Sequence, residues 1–215
     1  MTRAPVLALL FVGCADPATD APDCGEADPS SVPSTLILSA ITQAFDAGTL
    51  TVVDLARDRV CDGVTGATGD TVVATDAGEV IQIDRGTGAL RWLTPGAWDT
   101  PSLERAVDGN PHDVIACGDG WLVSLYEEPW LLHLDGQGRE LGRLDLSAHA
   151  DADGIPEASQ LARPDGRIVL TLERLDRLTD PAVWQPAGPG RILEVDCDPL
   201  RVVAAWEVGE NPQIL

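Results

Sequence analysis

Short apolar runs that end in an aspartate recur along this chain of 215 residues. The four copies lie at 49–54, 79–84, 130–135 and 191–196, and they read TLTVVD, EVIQID, WLLHLD and RILEVD. Their closing aspartates are 30, 51 and 61 residues apart, about 47 on average. Each run has the length and the apolar, β-branched content of a strand, and the aspartate is typical of a turn. The sequence is therefore a series of strand-rich repeats.

Repeats of this period predict a β-propeller, because a four-stranded blade takes about 40 to 50 residues. A blade cannot bury both faces of its sheet alone, so blades pack around a channel whose mouth is the expected site of function. We expect an all-β propeller with four-stranded antiparallel blades, about four of them, within residues 34–215. A β-sandwich is the alternative, but it does not explain why an aspartate-ended strand recurs in each unit.

Turn residues divide each predicted blade into strands, of which the first is expected to lie innermost. No segment has a helical period. Blade one is expected at Thr35–Ala40, Leu50–Asp54 and Arg59–Val60, and blade two at Thr71–Thr75, Glu79–Asp84 and Leu90–Leu93. Blade three is expected at Asp113–Cys117, Trp121–Tyr126, Leu131–Asp135 and Leu141–Leu146, and blade four at Ala158–Ala162, Arg167–Leu172, Arg191–Val195 and Val202–Val208.

Two passages resemble the YVTN or NHL-like class of propeller repeat. They are Gly109-Asn110-Pro111-His112-Asp113-Val114 ahead of a strand and Trp206-Glu207-Val208-Gly209-Glu210-Asn211-Pro212. The acidic passage 151–157 adds a resemblance to exported propeller lipoproteins of myxobacterial type. The resemblance implies the fold and no particular activity. Because propellers of this class usually have more than four blades, we favour a partial propeller over a closed four-bladed ring.

A second resemblance concerns Asp84-Arg85-Gly86-Thr87-Gly88-Ala89-Leu90-Arg91-Trp92, which is similar to the PQQ-like repeat. That repeat also occurs in outer-membrane assembly lipoproteins that lack the cofactor, so this resemblance implies a scaffold. Four tryptophans lie outside the pattern and are expected to pack between blades: Trp98, Trp121, Trp130 and Trp184.

The N-terminal residues predict export and lipid anchoring. Arg3 precedes an apolar run at 5–12 and then Gly13-Cys14, an arrangement that is typical of a secretory signal and resembles the bacterial lipobox. We expect a signal peptide at 1–13, a lipid on Cys14 and a disordered tether at 14–33. The protein would then be anchored to the outer membrane or cell surface. A plain signal peptide that is cleaved elsewhere is the alternative.

The net charge limits the possible partners, and the cysteines are those expected of an exported protein. The formal net charge is −21, which excludes electrostatic binding to nucleic acid and leaves the lipid anchor as the only predicted membrane contact. Four cysteines follow the anchor, and in an exported chain they are expected to form two disulfides with the connectivity left open. They are Cys24, Cys61, Cys117 and Cys197.

Candidate site residues follow from aligning three places where a proline lies near the predicted start of a blade. They are Asn110-Pro111-His112, Ile155-Pro156-Glu157 and Asn211-Pro212-Gln213. The alignment predicts that His112, Glu157 and Gln213 line the channel mouth as a binding site, although polar residues could simply line a wet channel. Asp113 is expected to turn into the blade interface, because neighbouring side chains of a strand face opposite sides.

The sequence offers little for chemistry. Asp151, Asp153 and Glu157 have the oxygen ligands that Ca²⁺ prefers, with an ordinary acidic loop as the alternative. We assign no catalytic residue and expect no cofactor other than this possible Ca²⁺. The predicted function is a non-catalytic binding or scaffold protein of the cell envelope, with an envelope protein, peptide or glycan as partner. A calcium-dependent, lactonase-like hydrolase centred on the channel is the alternative.

Overall fold

A computed structural model of the chain describes residues 35–55, 58–94, 96–179 and 184–214. The predicted signal peptide and tether, with Cys14 and Cys24, lie outside the described residues. Across these ranges, no helix is long and apolar enough to cross a membrane.

The described residues fold into four antiparallel blade sheets and one small two-stranded hairpin. Blade one has three strands: β1 Thr35–Ile41, β2 Gly48–Asp54 and β3 Arg59–Ala67. Blade two has four: β4 Thr71–Asp76, β5 Glu79–Asp84, β6 Ala89–Leu93 and β7 Leu103–Ala106. Blade three has β8 Pro111–Cys117, β9 Gly120–Leu125, β10 Trp130–Asp135 and β11 Glu140–Asp145.

Blade four contains an inserted hairpin. Its sheet is formed by β12 Ala158–Ala162, β13 Ile168–Leu172, β16 Arg191–Cys197 and β17 Leu200–Glu207. The hairpin between its second and third strands consists of β14 Leu175–Asp176 and β15 Gln185–Pro186. Neither the hairpin nor β7 was predicted, and β3 extends well past Val60.

The first strands of blades two, three and four lie innermost and pack side by side. Each of β4, β8 and β12 is an edge strand of its sheet, and β8 packs on both β4 and β12. This is the arrangement of a β-propeller, as predicted. We call the end of the blades where these three strands begin the entry rim, and the end where they finish the exit rim.

Blade one corrects the prediction that Thr35–Ala40 is an innermost strand. In the later blades, a first strand packs on the first and second strands of the blade before it. Here β4 packs on β1, and β2 starts beside the start of β4: a β-carbon built on Gly48 would lie 2.7 Å from Thr71 Cγ2. β1 therefore runs opposite to β4 and holds the second place of its blade, with β2 third and β3 fourth.

The same comparison explains the uneven aspartate spacing. Asp54, Asp135 and Asp196 lie at the exit-rim end of the third strand of their blades, whereas Asp84 ends the second strand of blade two at the entry rim. The third strands of the first three blades end about 40 residues apart. The wider interval before Asp196 contains the inserted hairpin.

Three apolar clusters hold the blades together, one at each interface. Leu50, Val52 and Leu93 belong to the cluster between blades one and two. Between blades two and three, the Trp92 and Trp121 rings meet at 5.6 Å. The cluster between blades three and four contains twelve buried residues, among them Leu122, Leu131, Leu170 and Leu193. Because both faces are covered, the middle strands β5 and β9 are buried along almost their whole length.

Candidate functional site

Three equivalent positions at the entry rim carry different polar side chains. Arg85, Tyr126 and Glu173 each follow the second strand of their blade directly. The backbone N–H of each donates to the carbonyl of the residue just before the first strand, at 2.8, 2.9 and 3.2 Å respectively. The fold therefore places an arginine, a tyrosine and a glutamate in succession around the channel.

These hydrogen bonds also correct the alignment of the blade entries. Tyr126 N–H donates to Asn110, and Glu173 N–H donates to Glu157, so Glu157 corresponds to Asn110 and not to His112. Both residues have the left-handed backbone, with φ of 58° and 47°. Aligning the prolines was misleading, because Pro111 follows Asn110 whereas Pro156 precedes Glu157. Glu157 is consequently fully buried rather than lining the mouth.

A chain of side-chain contacts follows the entry rim from blade two to residue 213. Arg85 Nη1 lies 3.2 Å from His112 Nε2, and the His112 ring stacks on Tyr126 with centroids 4.1 Å apart. The Tyr126 hydroxyl donates to Glu173 Oε2 at 2.6 Å. Gln213 Nε2 donates to the other oxygen of Glu173 at 3.4 Å. His112 and Gln213 are thus connected through Tyr126 and Glu173.

His112 is held in its neutral form. It is the extra residue of a bulge in β8, which turns its side chain toward Arg85. Because a guanidinium can only donate, Nε2 accepts the hydrogen bond and carries no proton. Burial and then the charges of Arg85 and Arg177 lower the pKa of His112 from 6.5 to about 3.

Asp113 does turn into the blade interface, as predicted. Its Oδ2 accepts a hydrogen bond of 2.8 Å from the N–H of Leu161 in blade four. Burial raises its pKa to about 6.

The hairpin of blade four is fastened to this rim by Arg177. Its Nε donates to Glu157 Oε1 at 2.8 Å, and its Nη2 donates to the carbonyl of Tyr126 at 3.1 Å. The second Glu157 oxygen accepts from Leu175 N–H at 2.8 Å. Burial raises the pKa of Glu157 to about 7, against the opposing effects of the Leu175 hydrogen bond and the Arg177 charge.

The hairpin presents an exposed tryptophan beside these groups. Arg177 lies over the Trp184 ring at 4.2 Å, and the Tyr126 ring stacks on Trp184 with centroids 6.0 Å apart. The Trp184 side chain remains 42% exposed, which differs from the expected packing between blades. The Trp184 ring, with Arg177 packed against it, is therefore exposed to solvent at the entry rim.

Glu157 does not join Asp151 and Asp153 in the predicted calcium ligand set. No group of three or more His, Cys, Asp or Glu side chains within the described ranges could hold a metal ion. Glu157 is occupied by Arg177 and Leu175, whereas Asp151 and Asp153 accept backbone hydrogen bonds within their own turn. Burial, together with the Asp153 carboxylate, raises the pKa of Asp151.

The exit rim carries the strongest cross-links between blades. Cys117 of β8 and Cys197 of β16 form a disulfide with their Cα atoms 5.7 Å apart. Arg163 of blade four reaches Asp76 of blade two at 3.2 Å and also donates to the Ala116 carbonyl of blade three. Cys61 is disulfide-bonded as well.

No protein-family model matches this sequence, and no curated protein matches it. Solved structures do share its fold. Kuenenia stuttgartiensis hydrazine synthase superposes with a TM-score of 0.56 at 13% identity over 75% of this chain and 43% of its own. The Cps50 (Swd1) β-propeller domain of Myceliophteria thermophila gives 0.56 at 9% identity over 80% of this chain and 55% of its own.

A third similar structure is the dihydro-heme d1 dehydrogenase NirN, with a TM-score of 0.51 and 14% identity over 80% of this chain and 35% of its own. The chain thus spans about a third to about half of the length of these proteins. At such low identity the likeness shows the fold alone: the described residues form β-propeller blades.

Proposed function

We propose that this chain is a non-catalytic binding or scaffold protein of the cell envelope, whose entry rim binds an envelope protein, peptide or glycan. The observation that carries the proposal is the exposed Trp184 ring beside Arg177 and Tyr126. Tryptophan, tyrosine and arginine are the residues that dominate binding energy at protein interfaces. This composition favours a protein or peptide partner over a glycan.

The titratable groups at the rim support binding rather than chemistry. His112 uses its ring nitrogen to accept from Arg85, and the Tyr126 hydroxyl donates to Glu173. Burial and then the Glu173 hydrogen bond raise the pKa of that hydroxyl. Glu157 titrates nearer neutrality, but it is fully buried with both oxygens engaged. A group that no substrate can reach cannot serve as its general acid or base.

The hydrolase alternative draws no support from the acidic loop. A calcium ion takes six to eight oxygen ligands, typically carboxylates that converge at about 2.3–2.6 Å. Glu157 instead pairs with Arg177, so it is not available to join Asp151 and Asp153. Binding of Ca²⁺ by these two aspartates stays a prediction, for which Asp151→Asn and Asp153→Asn are the variants to test.

We further propose that the protein is exported and anchored through a lipid on Cys14, as a propeller lipoprotein of the YVTN or NHL-like type. The Cys117–Cys197 disulfide supports an oxidising compartment. Labelling with a radioactive fatty acid tests the anchor: we expect label on the wild type and none on Cys14→Ser. An unlabelled wild type that retains Cys14 would contradict the anchor while leaving the binding proposal open.

Binding at the entry rim is tested with two tryptophan variants. Trp184 and Trp206 are similarly exposed, at 42% and 47%, but Trp206 lies on β17 outside the rim cluster. A photo-crosslinker on the hairpin should capture the same envelope partner with the wild type and Trp206→Ala, and the capture should fall at least tenfold with Trp184→Ala. Equal capture by both variants would show that the partner binds elsewhere.

A further inference from the structure

An open pocket lies on the outer side of blade four, at its entry-rim end. It is formed between the 3₁₀ turn Ser147–His149, which leads from blade three into blade four, and the strands β16 and β17. Its volume is about 300 Å³, at the lower end of the range of roughly 300–1,000 Å³ for small-molecule sites. Six residues line this blade-four pocket: Ala148, His149, Arg191, Ala205, Trp206 and Glu207.

The walls of the blade-four pocket are held in place by the fold itself. Leu146 is fully buried, and its N–H donates to the Pro129 carbonyl at 2.7 Å. The N–H of His149 donates to the Leu146 carbonyl at 2.8 Å, which fixes the turn. On the other wall, Arg191 and Glu207 are cross-strand neighbours in the β16–β17 ladder. A ligand would therefore meet a formed site, and little conformational freedom would be lost on binding.

Trp206 supplies an apolar wall. Its side chain is exposed, although it belongs to a strand. Two other lining residues, Ala148 and Ala205, carry only a methyl group, so a flat ligand has room beside the indole. The face of an aromatic ring carries partial negative charge and packs well against C–H groups. The pocket is therefore suited to a ligand with one flat, apolar face.

The polar lining groups both donate and accept hydrogen bonds. Arg191 Nη2 donates to Glu207 at 3.3 Å and Nη1 donates to the Ala148 carbonyl at 3.5 Å. A guanidinium has further N–H groups that can donate to a ligand. Glu207 is exposed, so its carboxylate can accept more hydrogen bonds. Burial and then the charge of Arg191 lower the pKa of His149, and the neutral ring offers one donor and one acceptor.

The charges around the pocket favour a neutral ligand. Arg191 and Glu207 carry opposite charges 3.3 Å apart, and His149 is neutral, so the lining has no net charge. The chain as a whole carries −21, which repels anions. A matching ligand is neutral, has an apolar face, and has hydroxyls that both donate and accept. A pyranose sugar combines these properties, with C–H groups on its faces and hydroxyls around its edge.

We propose that the blade-four pocket binds a neutral glycan, with one pyranose ring packed on Trp206 and its hydroxyls bonded to Arg191 and Glu207. Because the pocket is open, the neighbouring sugars of the glycan can extend into solvent. The site is separate from the aromatic cluster of the entry rim, so it does not depend on the partner proposed there.

Nuclear magnetic resonance of the ¹⁵N-labelled protein tests the proposal through the indole N–H signals of its six tryptophans. The signal of Trp206 is identified by its loss in Trp206→Ala, and that of Trp184 by its loss in Trp184→Ala. The ligands are maltotriose, cellotriose and tri-N-acetylchitotriose, neutral trisaccharides that differ in linkage and substituents. We expect at least one of them to shift the Trp206 signal and to leave the Trp184 signal in place.

Two variants of β17 separate a specific pocket from a general effect on the strand. Ala205→Leu fills the pocket while Trp206, Arg191 and Glu207 remain, so we expect sugar binding to weaken at least tenfold. Val203→Leu is the matched control, because Val203 is exposed on the same strand but does not line the pocket. It should bind the sugar as the wild type does.

Two further controls test the predicted ligand class and the separation of the sites. Trigalacturonic acid, which is anionic, should not shift the Trp206 signal. Trp184→Ala should bind the neutral sugar normally even where it no longer captures the entry-rim partner. The proposal is overturned if no neutral trisaccharide shifts the Trp206 signal. It is also overturned if Ala205→Leu binds as tightly as the wild type, or if trigalacturonic acid binds more tightly than the neutral sugars.

Discussion

His112 shows how neighbours set the protonation of a residue at the entry rim. Its ring lies between the Arg85 guanidinium and the face of Tyr126, so a proton on Nε2 would replace a hydrogen bond by a repulsion between two cations. The residue was predicted as a site residue from its place after Pro111. Its neutral state was not predictable, because Arg85 comes from another blade.

We expect His112 to make the protein less stable in mild acid. Because its pKa is about 3 when folded and 6.5 when unfolded, only the unfolded chain gains a proton between these values. The stability from neutral His112 is complete above pH 6.5 and is lost as the pH falls toward 3. The free energy of unfolding, measured by urea denaturation, should fall between neutral pH and pH 5 in the wild type. In His112→Gln we expect this fall to be about 1 kcal/mol smaller, after an allowance for the partial exposure of the ring. Equal losses would contradict this.

Glu157 should show the opposite pH dependence. Its pKa rises from 4.5 to about 7 on folding, so the folded chain keeps a proton that the unfolded chain has lost. The stability from protonated Glu157 is present below pH 4.5 and is lost as the pH rises through about 7. Denaturation between mild acid and mild alkali should show this decline in the wild type and not in Glu157→Gln.

Glu157→Ala serves as the contrasting variant at this position. It leaves the Arg177 guanidinium and the Leu175 N–H without their acceptor in a buried place. We expect it to cost about 3 kcal/mol in mild acid, where the wild type has its full stability, because an uncompensated buried charge is more costly than a lost pair. A Glu157→Ala protein as stable as Glu157→Gln would show that the hairpin does not depend on this contact.

At the scale of elements, the hairpin of blade four is the feature that distinguishes one blade from the others. Blades two and three join their second and third strands through residues 85–88 and 126–129, whereas blade four uses residues 173–190. Insertions on a rigid scaffold commonly carry binding residues. Here the insertion supplies both Arg177 and Trp184.

Replacing residues 173–190 by the turn sequence of residues 126–129, together with Glu157→Gln, should remove binding without unfolding the blades. The strands that the turn must join are equivalent in blades three and four, so we expect the cost to stay within about 2 kcal/mol. Circular dichroism measures folding, and a photo-crosslinker on exposed Glu127 of blade three, which the replacement leaves in place, measures capture of the partner. Crosslinking at the wild-type level would place the binding surface outside the hairpin.

The strand predictions succeeded where a strand has a recognisable apolar run. The apolar strands β9 and β10 were predicted nearly to the residue, because a buried strand needs a recognisable apolar run. β7 was missed because its sequence is LERA and three of its four residues are exposed on the outer edge. The short β14 and β15 are fixed by Glu157 and Arg177 rather than by their own sequence.

The place of a strand within its blade was harder to predict than the strand itself. β1 was predicted as a strand, but its rank as second rather than first depends on its direction relative to β4. That relation is set by the packing of Gly48 beside Thr71, which joins two blades. For the same reason, Tyr126, Glu173 and Arg177 were not assigned to the site. Tyr126 and Glu173 could have been found from the sequence, because each directly follows the second strand of its blade.

At the scale of the whole molecule, the Cys117–Cys197 disulfide joins blades three and four across 80 residues of sequence. Closing a loop of this length restricts the unfolded chain and is worth about 4 kcal/mol from chain entropy. We expect Cys117→Ala with Cys197→Ala to lower the free energy of unfolding by about that amount, measured by urea denaturation without reductant. A change below about 1 kcal/mol would show that packing alone holds these blades together.

The Arg163 contacts described at the exit rim have a consequence for motion. With the disulfide, they fasten three blades at one end, whereas the entry rim is joined by single hydrogen bonds and stacked rings. Thermal fluctuations should therefore separate the blades more at the entry rim than at the exit rim. Amide hydrogen exchange should be faster near Tyr126 than near Ala116, and Arg163→Ala should reduce that contrast. A partner at the entry rim would then meet a surface whose width changes with each such opening.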